Sequence, residues 1–115
     1  MRRGDIVVVS LDPARGSEAS KTRPAIVVSN DAANATASRL ARGVITVVPI
    51  TSNVARVYPF QVLLRADQTG LRQDSKAQAE QVRSVAVERI GKQIGRLPAA
   101  AMTELDEALR IHLAL

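Results

Sequence analysis

Cysteine is absent from this 115-residue chain, and histidine occurs once, as His112. Without cysteine there is no disulfide framework and no thiolate chemistry, which fits a reducing, cytoplasmic setting. A metal site built on clustered His and Cys is excluded, so no metal and no cofactor is expected. A single histidine on a helix stripe is far more often packed than catalytic. Aromatic side chains are nearly missing too: Tyr58 and Phe60 are the whole set. That rules out a platform of several stacked rings and counts against a standard RNA-recognition or OB-type surface. No apolar run is long enough to span a bilayer, so no membrane partner is expected. The opening "MRRGDIVVVSLDP" has too short an apolar part for a signal peptide, and no small-residue cleavage site follows it. "ARGSEASK" has one glycine where a phosphate-cradling loop needs two at fixed spacing, followed by Lys-Ser/Thr.

What is present is an ordinary folded composition, with 46% hydrophobic and 23% charged residues. The length implies one domain, residues 1–115, around one modest core. A core of that size makes dimerisation a reasonable further source of burial. Lys and Arg total 16 against 11 acidic residues, a net charge of +5. That balance favours anionic partners such as nucleic acid, a membrane surface or an acidic protein segment. Most of the basic residues are Arg, which suits planar recognition of phosphate.

Along the chain, Gly4–Leu11 reads as a first strand and Asp12–Thr22 as a long, lid-like loop. Pro24–Ser29 reads as a buried strand. Proline suits its first residue, leaving Arg23 just outside the sheet. Asn30 or Asp31 caps a short helix. Gly43–Thr51 is a third strand, and Pro49 implies an edge or a bulge near its end. Phe60, Val62 and Leu64 alternate on one face of a fourth. Arg65–Asp74 is a loop turning at Gly70, followed by a short strand and a better one over Glu80–Val87. "GKQIGRL" adds an edge strand. Pro98 suits the first turn of a closing helix, with Met102, Leu105, Leu109 and His112 or Leu113 on one stripe. Five or six short strands and a closing helix suggest a small, strongly bent antiparallel barrel.

If Pro24–Ser29 and Gly43–Ile50 pair antiparallel, Arg23 and Thr51 arrive at the same edge of the sheet. The loop carrying Glu18 and Lys21 overhangs that corner, and Gln81 and Arg83 share a strand face by the two-residue period. These residue types bind phosphate. Taken singly, each has a plainer reading. Arg23 and Arg83 are then solvated surface charges with Gln81 as a polar neighbour, "TSN" is ordinary turn composition, and Lys21 and Glu18 are solubility groups.

"RRGDIVVVSLDPARGSEASKTRPAIVVSND", "VVPITSN", "YPFQVLL" and "AQAEQVRSVAVERIGKQIGRL" resemble, in order and spacing, the MazF/PemK/Kid family of bacterial toxins, from Arg2 to about Leu97 with a matching final helix. The resemblance implies a mainly β (α+β) fold: a small SH3-like antiparallel β-barrel of the CcdB/MazF/Kid type, with a short helix and a C-terminal amphipathic helix. It also implies a homodimer paired with a MazE-like antitoxin. The implied activity is metal-independent endoribonucleolytic cleavage of single-stranded RNA to 2′,3′-cyclic phosphate and 5′-hydroxyl ends. Arg23 and Thr51 match the catalytic positions, and Glu18 matches a residue tied to activity. Gly16, Ser17, Lys21, Ser52, Asn53, Gln81 and Arg83 fall at RNA-binding positions. A CcdB-like gyrase poison is the alternative within the fold, ranked second because "LRIHLAL" offers no aromatic wedge. A non-catalytic RNA-binding barrel is the third.

Overall fold

The computed structural model describes residues 1–11 and 22–115. The expected lid, and with it Gly16, Ser17, Glu18 and Lys21, lies outside the described residues.

Seven strands are described: β1 Asp5–Ser10, β2 Thr22–Val27, β3 Val44–Thr51, β4 Gln61–Leu64, β5 Ser75–Gln78, β6 Arg83–Ala86 and β7 Ile90–Arg96. Three α-helices join them: α1 Asp31–Leu40, α2 Ala66–Thr69 and α3 Ala99–Leu113. All strand pairs are antiparallel, in the order β4-β5-β3-β2-β1-β7, with β6 also on β3. The sheet is open: β4 and β7 form its ends and do not pair, so the expected barrel is not closed by hydrogen bonds among the described strands. Alternation sorts β-branched side chains onto two faces. Ile6, Ile26, Val48, Ile50, Val62 and Leu64 pack beneath Leu105 and Ala108 of α3. Val7, Val9, Ala25, Val27, Val47 and Val85 form a second cluster with Ala37 of α1.

α1 starts where expected, with the Asn30 side chain accepting the Ala33 N–H at 2.8 Å. α3 buries Leu105 and Ala108, with Met102 and Leu109 partly buried beside them. The stripe stops there, however, because His112 and Leu113 are exposed. His112 is therefore a solvated residue of the last turn and not a packed one.

Two expectations about proline change. Pro24 is the third residue of β2, opposite Val8, and Arg23 lies inside the strand, opposite Val9. Pro49 lies in a central strand. β3 pairs β6 over Val44–Val47 and β5 over Ile50–Thr51, and Pro49 falls in the gap between those partners. A residue without an N–H is tolerated there because no rung is required of it.

Candidate active site

The site begins with those two prolines. The Val27 carbonyl accepts from Gly4 on the β1 side, whereas the Val28 N–H donates to Thr46 of β3. Backbone polar groups alternate in direction along a strand, so Pro24 turns its nitrogen toward β3. The β2–β3 ladder runs Val27↔Val47, Ile26↔Val48, Ala25↔Pro49, and it ends there. The next rung would need the donor that Pro24 lacks. Beyond it the strands follow different partners: β2 stays with β1 through Thr22, while β3 continues on β5.

A cleft of about 700 Å³ opens at this fork. Arg23 and Thr51 both line it, each two residues beyond the last paired positions Ala25 and Pro49 and therefore on one face. The expectation that a guanidinium and a hydroxyl from distant segments converge is met. Ser52 also lines the cleft.

The Thr51 hydroxyl oxygen accepts the Asn53 N–H at 3.2 Å. With the oxygen held this way, the hydroxyl proton is left to donate elsewhere. The Asn53 side-chain oxygen accepts the Ala55 N–H at 3.2 Å, closing a second small turn. The loop is held further along: the buried Lys76 ammonium donates to the Arg56 carbonyl at 2.6 Å, and Lys76 is opposite Thr51 in the β3–β5 ladder. Gln61 accepts the Tyr58 N–H at 3.1 Å and donates to Glu80 at 2.6 Å. Thr51 thus stands at the root of a loop tied down at both ends.

Gln81 and Arg83 are placed differently from expectation. Gln81 belongs to a 3₁₀ turn, Ala79–Gln81, and β6 begins only at Arg83. They do not share a strand face by alternation, and neither lines the cleft. Arg83 is exposed and pairs with Val47, four positions along β3 from Thr51.

The rest of the lining lies outside the residues expected from the sequence. One wall consists of Gly70, Leu71, Arg72, Gln73 and Ser75, with Lys92 and Ile94 from β7. Two glycines set its position. Gly70 ends α2 at φ +86°, where a Cβ would come within 3.0 Å of the Ile94 carbonyl oxygen. At Gly95 a Cβ would overlap the Thr69 carbonyl oxygen. The α2 turn therefore lies directly on β7, and the loop after it lines the same cleft as Arg23. The signal in the sequence is slight: one arginine and one lysine, each beside a glycine-containing turn or strand. The described lining contains three cations, Arg23, Arg72 and Lys92, and no acidic residue.

The chain matches the family described as PemK-like, MazF-like toxin of type II toxin–antitoxin system over residues 2–113. The chain belongs to that family. Relatives include endoribonuclease MazF9 of Mycobacterium tuberculosis, 69% identical over 115 residues, covering 100% of this chain and 98% of the relative. Endoribonuclease EndoA of Bacillus subtilis is 34% identical over 116 residues, covering 100% of this chain and 96% of that one. Among solved structures, the M. tuberculosis toxin MazF-mt6 superposes with a TM-score of 0.77 at 27% identity, covering 96% of this chain and 97% of that chain. A MazE–MazF structure from Deinococcus radiodurans gives a TM-score of 0.75 at 27% identity, covering 100% and 97%. Of the two toxin branches weighed from the sequence, the MazF/PemK one is matched. No helix among the described residues is long and apolar enough to cross a membrane.

Proposed function

We infer that this chain is the toxin of a type II toxin–antitoxin pair and an endoribonuclease that cuts single-stranded RNA in the Arg23/Thr51 cleft. The convergence of those two side chains on one cation-lined cavity carries the reading. The RNA's own 2′-hydroxyl attacks the adjacent phosphorus, the 5′-oxygen leaves, and the products are a 2′,3′-cyclic phosphate and a 5′-hydroxyl. The protein's task is to align the attack and stabilise charge on the crowded phosphoryl group. Arg23 places N–H donors on its oxygens and Thr51 donates one more hydrogen bond. Each contact is worth about 2–4 kcal/mol in the transition state. A guanidinium is a poor base near neutral pH, so Arg23 acts as stabiliser and proton donor. The 2′-hydroxyl proton passes to Glu18, to a water or to a substrate group, and Gly16, Ser17, Lys21, Ser52, Asn53, Gln81 and Arg83 contact RNA around the cleft.

The bent, open sheet is read as an SH3-like barrel, and the protein as a single-domain cytoplasmic homodimer. A MazE-like antitoxin silences it by laying an acidic segment over the cations. MazE–MazF complexes of the D. radiodurans relative support that partner.

The test is incubation of purified protein with a long unstructured RNA in EDTA, followed by end mapping. Cyclic-phosphate and 5′-hydroxyl ends at recurring sequences are expected. Intact RNA across a panel covering all short sequence contexts overturns the reading, whether the RNA is retained on the protein or released.

A further inference from the structure

We propose that Arg72 and Lys92 form a second phosphate subsite in the Arg23/Thr51 cleft, holding an RNA phosphate next to the one that is cut. This rests on the nuclease reading and adds a binding role for two residues to which the family resemblance assigned none.

Three observations point to it. First, the cleft collects charge of one sign. Arg23, Arg72 and Lys92 line it, and none takes part in an ion pair or side-chain hydrogen bond among the described residues. Like charges around one cavity repel each other, and a polyanion relieves that repulsion. Second, the one acid in the wall loop is turned elsewhere. The Asp74 carboxylate accepts the Ala66 N–H at 2.8 Å, at the start of α2, and Asp74 does not line the cleft. Arg72 is therefore not neutralised by the carboxylate two residues away. Third, the wall is built and not draped. Gly70 and Gly95 let the α2 turn sit on β7, which fixes the Arg72 loop and Lys92 relative to each other.

The dimensions fit more than a lone phosphate. Ligand pockets run from about 300 to 1,000 Å³, and this cleft is about 700 Å³. Its apolar floor, Val8, Pro24, Ile50, Leu71 and Ile94, gives a ribonucleoside a surface to cover. The cations at its rim then meet the phosphates on either side: Arg23 with Thr51 on the scissile one, Arg72 and Lys92 on its neighbour. Lys supplies a point charge and Arg a fork of donors, so the pair tolerates any base while fixing the register of the strand.

The experiment measures steady-state cleavage of a short RNA containing one cut site, for wild type, Arg72→Gln, Lys92→Gln and the double variant. Both residues are exposed, and thermal melting checks that folding is kept. Each single variant is expected to raise KM about tenfold with kcat within about threefold. The log–log salt slope of binding falls by about 0.7 per lost contact. A substrate with a neutral methylphosphonate at a linkage adjacent to the cut, tried on either side, raises the wild-type KM by a similar factor at one of the two. It changes nothing further in the double variant. Wild-type KM and salt slope in both single variants, or equal sensitivity of wild type and double variant to the neutral linkage, overturns the proposal. Wild type that cuts no RNA refutes the nuclease reading instead, so the two failures are distinguishable.

Discussion

Two charged corners of this molecule are built on opposite plans. At the amino-terminal corner Arg3, Arg96, Asp5, Asp31 and Asp106 all have polar partners. The Arg3 guanidinium bonds the Val28 carbonyl at 2.8 Å and Asp106 at 2.7 Å. Arg96 pairs with the buried Asp5, whose other carboxylate oxygen accepts the Arg2 N–H at 2.8 Å. The Arg3 N–H donates to Asp31 at 2.7 Å. Together these tie the chain start to α1, β7 and α3. At the β2–β3 fork, by contrast, three cations face one cavity with no partner among the described residues. Both corners draw on the same residue types. The paired corner contributes stability, and the corner without partners among the described residues is open to a ligand.

Substitutions at the two corners should therefore separate activity from stability. The largest effect is expected for Arg23→Ala. Loss of one transition-state donor costs about 10²–10³ in rate, while melting stays within about 2 °C of wild type because an exposed surface change is worth no more than about 0.5 kcal/mol. An unfolded variant, or one that cuts RNA normally, breaks the contrast.

Gly95→Ala sits between the two plans, since it disturbs the wall that carries Arg72. Its methyl group would overlap the Thr69 carbonyl oxygen, and overpacking of this kind costs about 1–3 kcal/mol. Denaturant melts should show that loss together with a raised KM. Unchanged stability would mean that the α2 turn does not lie on β7.

Asp106→Ala tests the paired corner directly. The pair with Arg3 is about one-third exposed on both sides, so screening limits the loss to about 0.2–1 kcal/mol. Cleavage should not change. A larger effect on cleavage than on stability would dissolve the distinction between the corners.

The smallest effect expected is a pH dependence at Asp31. Its carboxyl is held below the ordinary range chiefly by the Arg3 backbone N–H, which outweighs the opposing desolvation, with lesser help from the Asn34 side chain and the charges of Arg2 and Arg96. A depressed carboxyl contributes stability above its ordinary value and loses it as pH falls through the lowered folded value. The melting difference between wild type and Asp31→Asn should thus be present at pH 6 and shrink below about pH 4. A difference that grows on acidification would contradict the assignment.

Much of this arrangement was legible in the residues. Alternating β-branched runs placed β1, β2 and β3, and antiparallel pairing then placed Arg23 beside Thr51 without any family knowledge. Prolines misled in detail. Sequence alone ties proline to a strand start or an edge, whereas Pro24 and Pro49 lie within strands where one flank needs no donor. That information resides in which strand pairs with which, a non-local fact. A two-residue period joins Gln81 and Arg83 only along a continuous strand, and the Ala79–Gln81 turn interrupts it. Lys92 and Arg72 escaped notice because their partners in the cleft are set by close backbone contact at Gly95 and Gly70, which no local pattern announces. The helical period carries the α3 stripe one turn beyond its buried part, because His112 and Leu113 are exposed.

The central claim is that Arg23 and Thr51 act on one phosphoryl group, and a double-mutant cycle tests it most directly. Single-turnover cleavage of one RNA is measured for wild type, Arg23→Ala, Thr51→Ala and the double variant, with each protein's fold verified by melting. Groups that act as a unit are strongly non-additive, so the double variant should be hardly slower than Arg23→Ala alone. Independent losses that multiply, or a wild-type rate in either single variant, would contradict the account.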